Sequence, residues 1–218
     1  MNRKTYDIIL FDLDGTIIDP GVGIVNSVSY ALNHFGIEVE NKNDLYKFIG
    51  PPLIDSFMDF YGFDREKAVE AVNKYREFYK VTGINQNHLY DGFEDLLKTL
   101  TERGKRILVA TSKPEEFAKN ILESHGIAKY FEFIAGAEMD ESRSKKDEVI
   151  SYALETCRIT DISKIVMVGD RKFDVIGAKQ FGMDSIGVLF GYGDKEELEA
   201  AGANYICKTV AELKDLLI

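Results

Sequence analysis

The sequence predicts an α/β protein: a doubly wound sheet of parallel strands, interrupted by one inserted all-helical domain. Three observations carry that prediction. Strand-length apolar runs such as Ile8-Ile9-Leu10-Phe11, Ile107-Leu108-Val109-Ala110 and Ile165-Val166-Met167-Val168 lack polar alternation, which implies burial on both faces. From Asp91 onward, helical and strand-like segments alternate as βαβ units require. Before that alternation lies a block with helical periodicity and no strand pattern. Residues 1–18 and 88–218 are therefore expected to form the α/β core, and residues 19–87 the insertion.

Each element has a local cause. The first strand runs through Tyr6-Asp7-Ile8-Ile9-Leu10-Phe11 and ends in Asp12 and Asp14, two carboxylates one residue apart, after which Gly15 lets the backbone leave sharply. In a parallel sheet that point is the carboxyl edge, where open α/β folds bind their ligands. Asp19 suits a helix N-cap and Pro20 the first turn; Ile24, Val25, Val28, Ala31, Leu32 and Phe35 recur at helical spacing, and Gly36 stops the helix. Further helical pieces fit residues 43–49, 53–61 and 65–81, broken by Gly50-Pro51-Pro52 and Gly62. The crossings between core and insertion fall at 18–23 and 82–87, rich in residues that tolerate unusual backbone angles. After them come a helix at 92–103, strand at 106–111, helix at 114–125, strand at 131–135, helix at 145–157, strand at 164–169, helix at 173–181 and strand at 183–188. A short strand at 204–206 and a helix at 210–217 close the chain.

Composition narrows the function classes. At 45% apolar and 29% charged, the 218 residues are those of an ordinary soluble protein with a sizeable core. A formal charge of −10 argues against a nucleic-acid partner, which needs surplus Lys and Arg, but leaves a small anionic substrate open. Cys157 and Cys207 lie far apart with no CxxC spacing, as free thiols of a reducing compartment do, so a cytoplasmic location is expected. The start, Met1-Asn2-Arg3-Lys4-Thr5-Tyr6, leads into a strand without a signal-peptide apolar region, and no apolar run has membrane-spanning length.

Four stretches carry chemistry, each at the end of a buried strand or the start of a helix: Asp12-Leu13-Asp14-Gly15-Thr16, Thr111-Ser112-Lys113, Arg143-Ser144-Lys145-Lys146 and Gly169-Asp170-Arg171-Lys172-Phe173-Asp174. Residues two apart on an extended backbone face one side, so Asp12 and Asp14 can share a pocket if strand geometry persists that far. Together the four resemble, in order, the motifs of haloacid dehalogenase superfamily phosphatases. The core would then be Rossmann-like and the insertion a helical cap.

That resemblance assigns roles residue by residue. It makes Asp12 the nucleophile and a metal ligand, and Asp14 the general acid and then base. Thr111 would contact phosphate, with Ser112 contributing through its backbone; Ser112 is otherwise an N-cap ahead of Pro114. Lys146 would shield nucleophile and phosphoryl group from each other, with Lys145 as the alternative. Asp12, Asp14 and Asp170 are the expected metal set for Mg²⁺, which prefers oxygen ligands. Asp174 would act through water or by orienting Lys146; otherwise it is an acid favoured by the helix dipole.

Dehalogenase relatives lack the second acid, so Asp14 argues for phosphoryl chemistry. Phe48-Ile49-Gly50-Pro51-Pro52-Leu53 resembles the cap element of phosphoglycolate-phosphatase-like members, and Lys47 is a candidate substrate contact, or else a solvated lysine. The expected protein is a Mg²⁺-dependent phosphomonoesterase for a small phosphorylated metabolite, with phosphoglycolate first and a nucleoside monophosphate (5′-nucleotidase) second. The expected state is a monomer or homodimer. A β-phosphoglucomutase-like enzyme, a phospho-receiver domain and an inactive binding module are the alternatives; Thr16 fits the phosphatase better than the mutase.

Overall fold

The computed structural model describes residues 4–140 and 142–218, so the expectation for Met1, Asn2 and Arg3 lies outside the described residues. In chain order the elements are β1 (Ile8–Phe11), β2 (Ile18–Asp19), α1 (Gly21–His34), α2 (Leu53–Tyr61), α3 (Arg65–Val81), β3 (His88–Leu89), α4 (Phe93–Glu102), β4 (Arg106–Pro114), α5 (Glu115–Ser124) and β5 (Phe133–Ala137). They continue with α6 (Lys146–Thr156), β6 (Ile165–Gly169), α7 (Lys172–Gln180), β7 (Asp184–Val188), α8 (Lys195–Ala201), β8 (Tyr205–Cys207) and α9 (Val210–Leu217). The chain divides into two compact units, one formed up to Ile18 and from Leu89 onward, the other by Asp19–His88.

The first unit holds a six-stranded parallel sheet in the order β5-β4-β1-β6-β7-β8. Counting only these strands along the chain, the order is 3-2-1-4-5-6, the doubly wound arrangement that the apolar runs predict. Its switch point lies between β1 and β6, the place where open sheets of this kind bind ligands beyond the strand ends. Phe11 sits opposite Val109 of β4 and Val168 of β6, so the residues that follow these three strands emerge side by side. Apolar residues cover both faces. Ile8 and Leu10 pack with Val149 and Ile150 of α6, whereas Phe11 meets Phe93 of α4 edge-on at 5.3 Å between ring centroids. Each such side chain stabilises the fold by about 1.5–3 kcal/mol when fully buried.

The second unit is helical, as expected from its periodicity. Phe48 packs its ring against Phe57 at 5.0 Å, and α1 approaches the turn at Gly83 so closely that a Cβ on Gly23 would lie 2.2 Å from the Gly83 carbonyl oxygen. Helices α2 and α3 begin and end where the sequence predicts. Residues Lys42–Phe48 wind as a 3₁₀ helix rather than an α-helix.

Other departures have local reasons. Strands β2 and β3, unanticipated because each has only two residues, pair with each other where the chain crosses between units. A 3₁₀ turn at Ala128–Tyr130 delays β5 to Phe133. Helix α8 is absent from the expectation because it presents a single buried residue, Leu198, and so no apolar stripe. Among the described residues no helix is long and apolar enough to cross a membrane.

Candidate active site

Strand β1 stops at Phe11, and Asp12 continues its line because its N–H donates to the Val168 carbonyl at 2.8 Å. Strand geometry does not persist to Asp14. The chain turns back, with Ile17 N–H donating to the Leu13 carbonyl at 2.9 Å and Gly15 N–H to the Ile18 carbonyl at 2.8 Å. Gly15 is required twice over: its φ is +82°, and a Cβ there would lie 2.1 Å from Asp170 Oδ2.

Lys146 opens α6 and is buried with its ammonium 2.7 Å from Asp12 Oδ1 and 2.9 Å from Asp174 Oδ1, donating also to the Ala110 carbonyl at 2.9 Å. Burial alone would lower its pKa, but the Asp12 and Asp174 carboxylates outweigh that and hold it above the ordinary lysine value. Lys145, the alternative, is exposed and precedes the helix. Gly177 on α7 lets Lys146 pass, since a Cβ there would come within 2.9 Å of Lys146 Cγ.

Asp170 and Asp174 follow β6. Asp170 Oδ2 accepts from the Tyr192 N–H at 2.7 Å, whereas Oδ1 is buried with no hydrogen-bond partner. Burial, then the charges of Asp174 and Asp12, push the Asp170 carboxyl well above the usual range. Asp174 Oδ2 accepts from the Arg171 N–H at 3.1 Å, and burial raises this acid too, against the pull of Lys146. Carboxylate oxygens of Asp12, Asp170 and Asp174 all lie within 4.8 Å of one another. Three buried acids grouped together, two of them on the Lys146 ammonium and the third, Asp170, with an oxygen left partnerless, are a donor set that fits a hard cation with oxygen ligands.

The loop after β7 shapes this group from the other side. A Cβ on Gly191 would lie 2.2 Å from the Gly15 carbonyl oxygen and 2.5 Å from Asp170 Cβ; one on Gly193 would lie 1.9 Å from the Asp170 carbonyl oxygen. Sequence reasoning missed this loop. Two glycines flanking Tyr192 at the end of a strand were its signal.

Strand β4 brings the remaining groups, with a break in register between Ala110 and Pro114. Thr111 is buried, and its Oγ1 accepts from the Lys113 N–H at 3.2 Å. Ser112 caps nothing, because α5 starts at Glu115 after Pro114. Lys113 was also missed. It is buried, and its ammonium lies 2.6 Å from Asp14 Oδ2, while Asp14 Oδ1 is buried with no hydrogen-bond partner. Burial raises the Asp14 pKa, Lys113 opposes the rise and Asp12 adds to it. Asp14, expected among the metal ligands, thus has its carboxylate on Lys113, and the acids that group are Asp12, Asp170 and Asp174. Lys47, in the helical unit, lies 4.6 Å over the Phe60 ring.

The model of the family described as haloacid dehalogenase-like hydrolase matches residues 9–188. A 5′-nucleotidase from Pseudomonas aeruginosa is 42% identical over 212 residues, 97% of this chain and 96% of that protein. The tyrosine-protein kinase PtkA of Mycobacterium tuberculosis is 39% identical over 216 residues, 98% of this chain and 73% of that one. A phosphoglycolate phosphatase from Vibrio vulnificus is 28% identical, covering 100% of this chain and 99% of its own. Among solved structures, that of a predicted phosphatase from Clostridium acetobutylicum superposes with a TM-score of 0.95 at 48% identity, over 97% of this chain and 98% of the other.

Proposed function

The chain belongs to the haloacid dehalogenase-like hydrolases and is a hydrolase of phosphoric monoesters, and from that premise we propose that it works through an aspartyl phosphate on Asp12 with Mg²⁺ as its metal. The observation that carries this is Asp12 Oδ1 held 2.7 Å from buried Lys146 within a group of three acids. An ammonium at that distance holds the carboxylate in place, as an attacking nucleophile requires.

Asp12 attacks phosphorus in line with the leaving oxygen; its new O–P bond forms as the ester P–O bond breaks. Asp14 delivers its proton to the departing oxygen, and burial, which favours the protonated form, suits it to that task. In the second half Asp14 takes a proton from water, whose oxygen attacks phosphorus and frees Asp12. Lys146 offsets the negative charge of the nucleophile and of the transferring group, and Thr111 offers its hydroxyl to a phosphoryl oxygen, with the Ser112 backbone beside it. Asp12 and Asp170, with Asp174 alongside, would hold Mg²⁺, which would supply positive charge to the transferring phosphoryl group.

For the substrate, a nucleoside monophosphate moves ahead of phosphoglycolate, because the relative named 5′-nucleotidase is 42% identical and the one named phosphoglycolate phosphatase 28%. The helical insertion supplies the selectivity, and Lys47 remains a candidate contact for a substrate anion. The test is phosphate release from nucleoside monophosphates and phosphoglycolate, with Mg²⁺ or a chelator, for the native chain and Asp12→Asn. Turnover is expected only with Mg²⁺, to be fastest on a nucleotide, and to fall about 10⁴-fold or more in Asp12→Asn. Undiminished turnover in that variant refutes the mechanism.

A further inference from the structure

We propose that Lys113 is a positioning residue for the acid–base carboxylate: its ammonium fixes Asp14 Oδ2, which leaves Oδ1 as the oxygen that exchanges protons with leaving group and water. This rests on the role given to Asp14 above. The two oxygens of Asp14 are sharply unequal. One is 2.6 Å from the Lys113 ammonium, and the other, equally buried, has no hydrogen-bond partner. A carboxylate otherwise turns freely about its terminal torsion. Anchoring one oxygen fixes the direction of the second.

The backbone explains how the lysine comes to be there. The register of β4 against β5 shifts between Ala110 and Pro114, the stretch that holds Lys113, and the Lys113 N–H is tied to Thr111 Oγ1 at 3.2 Å. On the other side β5 is pressed against it, since a Cβ on Gly136 would lie 2.7 Å from the Lys113 carbonyl oxygen. Lys113 is 8% exposed, and burying an ammonium costs several kcal/mol unless a partner compensates. Asp14 is that partner. The pairing also keeps Asp14 out of the neighbouring group of Asp12, Asp170 and Asp174, where a fourth carboxylate would compete for the cation.

Protons balance with Lys113 as a spectator. The Asp14 carboxyl gives its proton to the leaving oxygen and becomes a carboxylate beside the ammonium. It regains a proton from the attacking water, and Lys113 keeps all of its own throughout.

The test is the dependence of kcat/KM on leaving group, measured on the full chain with dinitrophenyl, phenyl and alkyl phosphates at saturating Mg²⁺. A dinitrophenolate departs without a proton and an alkoxide does not. Lys113→Met is expected to lose about 10²-fold on the alkyl ester and no more than about threefold on the dinitrophenyl ester. Asp14→Asn should show the same pattern, and the double variant should be no slower than Asp14→Asn alone. Lys113→Gln, closer in shape and neutral, serves if the methionine variant fails to fold, with the same expectation. Equal loss on every ester makes Lys113 structural and overturns the inference. So does a uniform rise in KM with weakened inhibition by inorganic phosphate, which makes it a phosphate contact. If those outcomes appear while Asp12→Asn is inactive, only this inference falls; an active Asp12→Asn brings down the mechanism itself.

Discussion

Asp170 is held by what its neighbours lack. Gly15 and Gly191 would each set a Cβ within 2.5 Å of its side chain, and the Tyr192 N–H takes one of its oxygens. Gly191→Ala is therefore expected to displace Asp170 and raise the Mg²⁺ concentration for half-maximal activity at least about tenfold, read from a Mg²⁺ titration of turnover. Asp170 itself sacrifices stability, since a buried carboxylate among like charges destabilises the metal-free fold. Asp170→Asn should raise the metal-free Tm by about 2–4 °C, the equivalent of about 1 kcal/mol at this chain length, and should abolish any rise in Tm on adding Mg²⁺. Calorimetry with Mg²⁺ and with chelator measures both. At this scale the sequence shows a residue when it stands in a motif at a strand end, as Asp12, Asp170 and Lys146 do. It hides one whose burial depends on tertiary contacts. In the sequence Lys113 comes just after the apolar run of β4, as a solvated lysine would, and its burial against Asp14 depends on contacts distant along the chain.

Helix α8 is the element least visible in the sequence, and beyond its one buried side chain, Leu198, charge ties it down. Glu197 accepts from Arg171 Nε at 2.9 Å and from the Lys172 N–H at 2.8 Å, linking α8 to the start of α7. Burial would raise the Glu197 pKa, but Arg171 and the Lys172 N–H prevail and hold it below the ordinary value. A depressed carboxylate contributes stability that is full above its unfolded pKa and lost as pH falls through the folded one. Glu197→Gln should thus cost about 1–2 kcal/mol near neutral pH, with the difference closing below about pH 4, in urea melts at the two pH values. The elements that could be read to the residue are those bounded by stop signals, such as α2 between Pro52 and Gly62, and α3 after Asp64, whose side chain accepts from Lys67 N–H at 2.9 Å. Strand β5 could not, because Phe131 and Phe133 offer two equivalent starts, and the 3₁₀ turn at Ala128–Tyr130 settles the choice on Phe133.

Across the whole chain, the parallel sheet was legible because burial on both faces leaves uniform apolar runs. The insertion was legible from its change of period. The pairing of β2 with β3 at its two crossings was not, since two-residue strands leave no pattern. Yet those crossings have a consequence of their own. Ile18–Asp19 and His88–Leu89 bond to each other, so the helical segment leaves and rejoins the sheet-bearing unit through one doorway. A segment anchored in that way can be traded for another of different length without moving a single register in the sheet. The carboxylates at the ends of β1 and β6 would stay where they are whatever segment is grafted between the two crossings.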